Sequence, residues 1–113
     1  MAQVSMEQVL RWAPDVVVLD EGDAAALSKD PKWMAVPAVR TGRVFRLPTG
    51  VFIWNRASFE SAALLPIWLA LHAYPARLRD MSMDEEARRF YREVFGFQLT
   101  DAQRRDVLHP EAR

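Results

Sequence analysis

Val16-Val17-Val18-Leu19 is an uninterrupted aliphatic run, and its three valines are β-branched. Such side chains lose rotamer freedom in a helix and pack well on a pleated surface. A strand with one wet face alternates apolar and polar residues. A run without polar positions therefore predicts a strand buried on both faces, as in the centre of a parallel sheet. Parallel pairing requires a crossover between the strands and helices over both faces. One other stretch has strand character, Arg43-Val44-Phe45-Arg46-Leu47, which alternates and follows the Thr41-Gly42 turn. Together the two predict an α/β arrangement with a small parallel sheet flanked by helices.

The rest of the chain reads mainly as helix. Ser5 and Gln8 form a Ser-x-x-Gln capping box for a helix from Met6 to about Trp12, and Pro14 disfavours its continuation. Asp20-Glu21-Gly22-Asp23 is turn chemistry that also offers caps for a short helix across Ala24 to Ser28. Loop follows through Asp30-Pro31, and Trp33 to Val39 is apolar and holds Pro37. Ser58 is placed to cap a long helix from Phe59 to about Ala73, in which Pro66 predicts a kink costing about 3 kcal/mol. Ser82 to Glu85 is a second box. It opens a helix that carries Met83, Ala87, Phe90, Tyr91, Val94 and Phe95 on one side, with Gly96 as its stop. Thr100 to Gln103 is a third box, before a last helix through Leu108. With no repeat or linker in this order, residues 1–113 are expected to form a single domain.

Several function classes are set aside on composition. Fifteen Lys and Arg balance fifteen Asp and Glu, so the field that nucleic-acid binders use is missing, and nucleic acid is not an expected partner. Cysteine is absent, and His72 and His109 are far apart with no ligand at metal-binding spacing. Phosphate-loop, dinucleotide-turn and nucleophile-elbow motifs do not occur, so neither a metal, a cofactor nor an enzymatic activity is expected. Asp84-Glu85-Glu86 lies in a first helical turn, where the macrodipole favours negative charge. The longest apolar run, Ala62 to Leu71, has ten residues and contains Pro66, against the roughly 20 that span a bilayer. The start lacks a basic segment followed by an apolar one, so no signal peptide is expected in this chain.

Ligands of parallel sheets collect beyond the carboxyl ends of the strands. Those ends lead into Asp20-Glu21-Gly22-Asp23 and into Val51-Phe52-Ile53-Trp54-Asn55-Arg56. The second loop sets flat aromatic faces, Phe52 and Trp54, beside an amide, Asn55, and a guanidinium, Arg56. That set suits a bulky ligand with polar or anionic groups, although aromatics near a helix start also serve as core.

Val4-Ser5-Met6-Glu7-Gln8-Val9-Leu10 and Ala13-Pro14-Asp15-Val16-Val17-Val18-Leu19 resemble a stretch of the solute-binding proteins that serve ABC importers of ferric siderophores, haem and cobalamin. Val36-Pro37-Ala38-Val39-Arg40-Thr41-Gly42-Arg43-Val44-Phe45, Trp54-Asn55-Arg56-Ala57-Ser58 and Phe95-Gly96-Phe97-Gln98-Leu99-Thr100-Asp101 are similar to later segments of the same family. The resemblance covers Val4 to about Leu108, yet only the later part of one of that family's two lobes. It implies a partial C-terminal lobe of a periplasmic or extracytoplasmic binding protein, free or lipid-anchored.

It further implies that Phe52, Trp54, Asn55 and Arg56 line one wall of a ligand cleft, with Asp20 and Glu21 at its rim. Glu7 would dock on arginines of the ABC permease. The implied ligand is a ferric siderophore, haem or cobalamin, held by clamping between lobes and without catalysis. The alternative is a self-contained α/β interaction module without transport function, paired as a homodimer around the orphan strand. An enzyme using Asp20, Glu21 and Arg56 has no nucleophile behind it.

Overall fold

The computed structural model describes residues 2–51 and 54–108. The chain forms two compact units, Met1–Leu47 and Pro48–Arg113.

In the first unit, helix α1 (Met6–Trp12) starts where Ser5 accepts the Gln8 amide and ends at Ala13, whose backbone is left-handed at φ 45°. Pro14 explains the stop, because its ring disfavours helical geometry in the residue before it. Strand β1 (Val17–Leu19) follows, then the short helix α2 (Ala24–Leu27), capped by Asp23 accepting the Ala25 amide at 2.8 Å. Helix α3 (Pro37–Arg40) begins within the apolar stretch Trp33 to Val39, to which the sequence assigns no element. Proline at the first helical position is pre-set in φ and has no amide to lose, so Pro37 begins this helix.

Strand β2 (Val44–Arg46) pairs with β1 in parallel, Val17 opposite Val44, Val18 opposite Phe45 and Leu19 opposite Arg46. The small parallel sheet predicted from the sequence is thus present, with two strands among the described residues. The expectation that β1 is buried on both faces does not hold. Val18 is 37% exposed, and Val17 and Leu19 are half-buried. Three residues paired on one side cannot be enclosed as the centre of a wide sheet is. The core of this unit is instead Val36, Ala38 and Val39, packed by Met6, Val9, Val17, Leu27, Trp33 and Val44.

In the second unit, helix α4 (Phe59–Ala73) packs on α5 (Met83–Phe95), and α5 on α6 (Asp101–Leu108). Each start is capped as its sequence predicts. Ser58 and Ser61 form a reciprocal box, Ser82 accepts the Glu85 amide, and Thr100 and Gln103 exchange bonds of 2.9 and 3.2 Å. Gly96 closes α5 in left-handed geometry at φ 62°. Helix α4 runs through Pro66, with Leu64 and Trp68 buried on either side of it. A 3₁₀ turn, Pro75–Arg77, leaves α4. The apolar side of α5 is buried at Ala87 and Tyr91, while Val94 and Phe95 in the last turn stay exposed. No helix among the described residues is long and apolar enough to cross a membrane.

Gly50 has φ 66°, and a Cβ added there falls 2.5 Å from Glu60 Oε1 and 2.6 Å from Trp54 Cδ1. Left-handed geometry alone costs a non-glycine residue about 1–3 kcal/mol. The Gly50→Ala variant is accordingly expected to lose at least that much, measured as a lower urea midpoint with unchanged slope.

Candidate functional site

Trp54, Asn55 and Arg56 lie in the turn that leads to the Ser58 cap of α4. Together with Ser58, Ser61 and Leu65 they line an open hollow of about 480 Å³. Asn55 and Arg56 are exposed. Trp54 is 1% exposed, so its ring serves mainly as interior wall and leaves little face for a ligand. Phe52 lies outside the described residues. An aromatic that sequence reasoning passed over stands close by in the chain: Phe59, at the first position of α4, is 83% exposed.

The turn is fixed from beneath. The Ser61 hydroxyl donates to the Arg56 carbonyl at 2.7 Å, and the Ser58 amide donates to the Ser61 hydroxyl at 2.9 Å. One serine therefore holds both the last residue of the aromatic loop and the helix cap. Nothing in the Ser58-Phe59-Glu60-Ser61 pattern announced this, because Ser at the third helical position is not the usual Glu or Gln of a capping box.

Asp20 and Glu21 occupy the exposed turn after β1, and Glu7 is exposed in the first turn of α1. All three belong to the first unit, whereas Trp54, Asn55 and Arg56 belong to the second. Asp23, grouped with the rim in the sequence, is occupied as the cap of α2.

Beside the loop lies a buried polar pair. Glu60 is fully buried in the first turn of α4. Its Oε1 accepts the Val51 amide at 3.1 Å and the phenol of Tyr91 from α5. Burial pushes the Tyr91 phenol well above the usual tyrosine range; the bond to Glu60 and that residue's charge add to the rise, and the Val51 backbone offsets part of it. A second hollow, about 600 Å³ and mostly apolar, borders Tyr91, Phe95, Phe97 and Val107.

No family model matches the chain. In sequence it is 29% identical over 96 residues to the molybdate-binding protein MolA of Haemophilus influenzae, a match covering 82% of this chain and 27% of MolA. In structure, a periplasmic solute-binding protein of Veillonella parvula superposes at TM-score 0.81 and 26% identity, over 96% of this chain and 35% of that protein. Molybdate-bound MolA superposes at TM-score 0.68 with 28% identity, over 88% of this chain and 31% of MolA. Helicobacter pylori CeuE, at 22% identity and TM-score 0.70 over 90% of this chain and 32% of its own length, shares the fold.

The chain thus spans about a third or less of the relatives it matches, and its small α/β structure corresponds to part of a two-lobed fold. MolA and the Veillonella protein are binding proteins and not enzymes.

The Tyr91 shift has a consequence for stability. An unfolded tyrosine ionises near pH 10, whereas the folded phenol keeps its proton to higher pH. The native state then holds a proton that the unfolded state has released, so this contribution is complete below about pH 10 and is lost as pH rises further. Urea unfolding at pH 8 and pH 11 is expected to show a fall in stability that is shallower in the Tyr91→Phe variant.

Proposed function

We propose that this chain is part of the second lobe of the substrate-binding protein of an ABC importer, and that it supplies one wall of a ligand cleft. The observation that carries this reading is the superposition of 96% of the chain on a periplasmic solute-binding protein at TM-score 0.81. In this reading the parent protein works in the periplasm, does no chemistry on its cargo, and delivers it to a permease. Closure of two lobes on a ligand gains contacts that the open form lacks, and the closed form is what the membrane partner receives.

The Trp54-Asn55-Arg56 turn is the proposed ligand edge. Arg56 offers a planar, permanently charged donor set, suited to carboxylate or oxyanion groups, and exposed Asn55 adds an amide beside it. Asp20 and Glu21 are the proposed rim, and Phe52 belongs to the proposed wall. Glu7, an exposed carboxylate at a helix start, is the proposed contact to a basic surface of the permease.

For the cargo we favour a metal-containing anionic solute. The sequence resemblance suggests a ferric siderophore, haem or cobalamin, whereas the relative MolA carries molybdate in its name and in its crystal structure. Arg56 fits the oxyanion and the carboxylate-bearing chelates alike. A single wall binds weakly, because contacts from a facing surface do not contribute.

Titration of the ¹⁵N-labelled chain with sodium molybdate, a ferric siderophore, haemin and cobalamin tests this. The expected result is a dissociation constant weaker than about 1 μM for one of the four, with shifts confined to Asn55–Ser58 and abolished in Arg56→Ala. Binding tighter than that refutes the one-wall reading, and no response at Asn55–Ser58 to any of the four refutes the ligand reading.

A second reading, a homodimeric interaction module, draws support from the exposed Trp12, Val18 and Met34 of the first unit. Light scattering separates the two. The lobe reading expects no discrete dimer, and a dimer that persists on dilution would favour the module.

A further inference from the structure

Three helices of the second unit converge on the entrance to the ligand turn. The Gly50 amide donates to the Val107 carbonyl of α6 at 3.1 Å. The next amide, Val51, donates to Glu60 Oε1 of α4, also at 3.1 Å, and the same oxygen accepts the Tyr91 phenol of α5. At the far end of the turn, the Ser61 hydroxyl holds the Arg56 carbonyl. Glu60 and Ser61 are successive residues, so one turn of α4 grips residues 51 and 56 together.

Helix formation does not require this arrangement. Ser58 and Ser61 already satisfy the start of α4 through their reciprocal box, so Glu60 is not needed as its cap. A fully buried carboxylate is rare without paired donors, and an apolar residue of similar size is the usual occupant of such a site. Tyr91 likewise buries its ring on α5 among Phe90 and Phe95, a task that Phe performs equally well; the hydroxyl is an addition, aimed at Glu60. Among the contacts of the described residues, the acid and the phenol together hold the backbone of Val51, which apolar side chains cannot do.

We propose that Glu60 and Tyr91 are positioning residues for the ligand turn, fixing where Asn55 and Arg56 are presented by holding Val51 from α4 and α5. The proposal rests on the reading of residues 54–56 as the ligand edge.

Amide exchange by NMR, read with and without sodium molybdate, tests it. In Tyr91→Phe the Glu60 carboxyl loses the phenol that holds it in place, and the Val51 amide loses the phenol oxygen it faces; that amide is expected to exchange about tenfold faster, the effect of one weakened hydrogen bond, while Leu64 and Trp68 of α4 are unchanged. The molybdate-induced shifts at Asn55–Ser58 should weaken in parallel. Glu60→Ala should expose the same amide, and Glu60→Gln, which keeps an acceptor oxygen, should restore both its protection and the ligand response.

Exchange at Val51 that stays at the wild-type rate in both Tyr91→Phe and Glu60→Ala overturns the proposal. So does faster exchange with an undiminished molybdate response. Failure of the ligand reading is a separate result, seen in the wild-type chain as no shift with molybdate, ferric siderophore, haemin or cobalamin. In that event the Val51 exchange rates still decide whether Glu60 and Tyr91 hold the turn.

Discussion

A carboxyl group taken out of water is tolerated only where donors and dipoles replace the lost hydration. Glu60 meets that condition with the start of a helix, a backbone amide from Val51 and a phenol from Tyr91. Much of the second unit follows from it. Gly50 has to be a glycine, because a side chain there would collide with this carboxylate and with Trp54. Trp54 is buried close to the same place, and α5 presents Tyr91 at its buried side. The loop with the most chemistry in the chain is anchored to a carboxyl group that never reaches the surface.

The first unit is organised differently. Its two strands are held by parallel pairing and by loop bonds, such as Arg43 to the Ala38 carbonyl at 2.7 Å and Ala38 to the Pro14 carbonyl at 3.0 Å. Its core is carried by the α3 segment and not by the sheet. A two-stranded parallel ladder is seldom stable by itself, since parallel sheets gain their stability from several neighbours and two covered faces. The correspondence to about a third of a longer two-lobed relative gives that observation a context.

Much of this was legible in the sequence because it is written locally. Caps at Ser5, Asp23, Ser58, Ser82 and Thr100, and the stop at Gly96, each depend on residues within one helical turn, and each is where the pattern places it. Parallel pairing was legible from the valine run, but its burial was not, because burial depends on how many strands stand alongside. Helix α3 was not legible, because its four residues are too few to show a helical period, and Pro37, which begins it, is as common in turns. In the candidate site the exposed Asn55 and Arg56 could be picked out by residue type. Glu60 could not, since an acid in a first helical turn looks like a dipole partner until a tyrosine 31 positions later is found against it. Trp54 shows the converse: its residue type suggests a platform, and its surroundings make it a wall.

Residues 51 and 56 are tied to neighbours on a single helical turn, and this bears on motion. Two ends fastened to one rigid rod cannot move apart unless the rod itself deforms. Any swing of α4 therefore carries Asn55 and Arg56 with it as a fixed attachment, and no separate rearrangement of the backbone at those ends is required for the edge they form to travel.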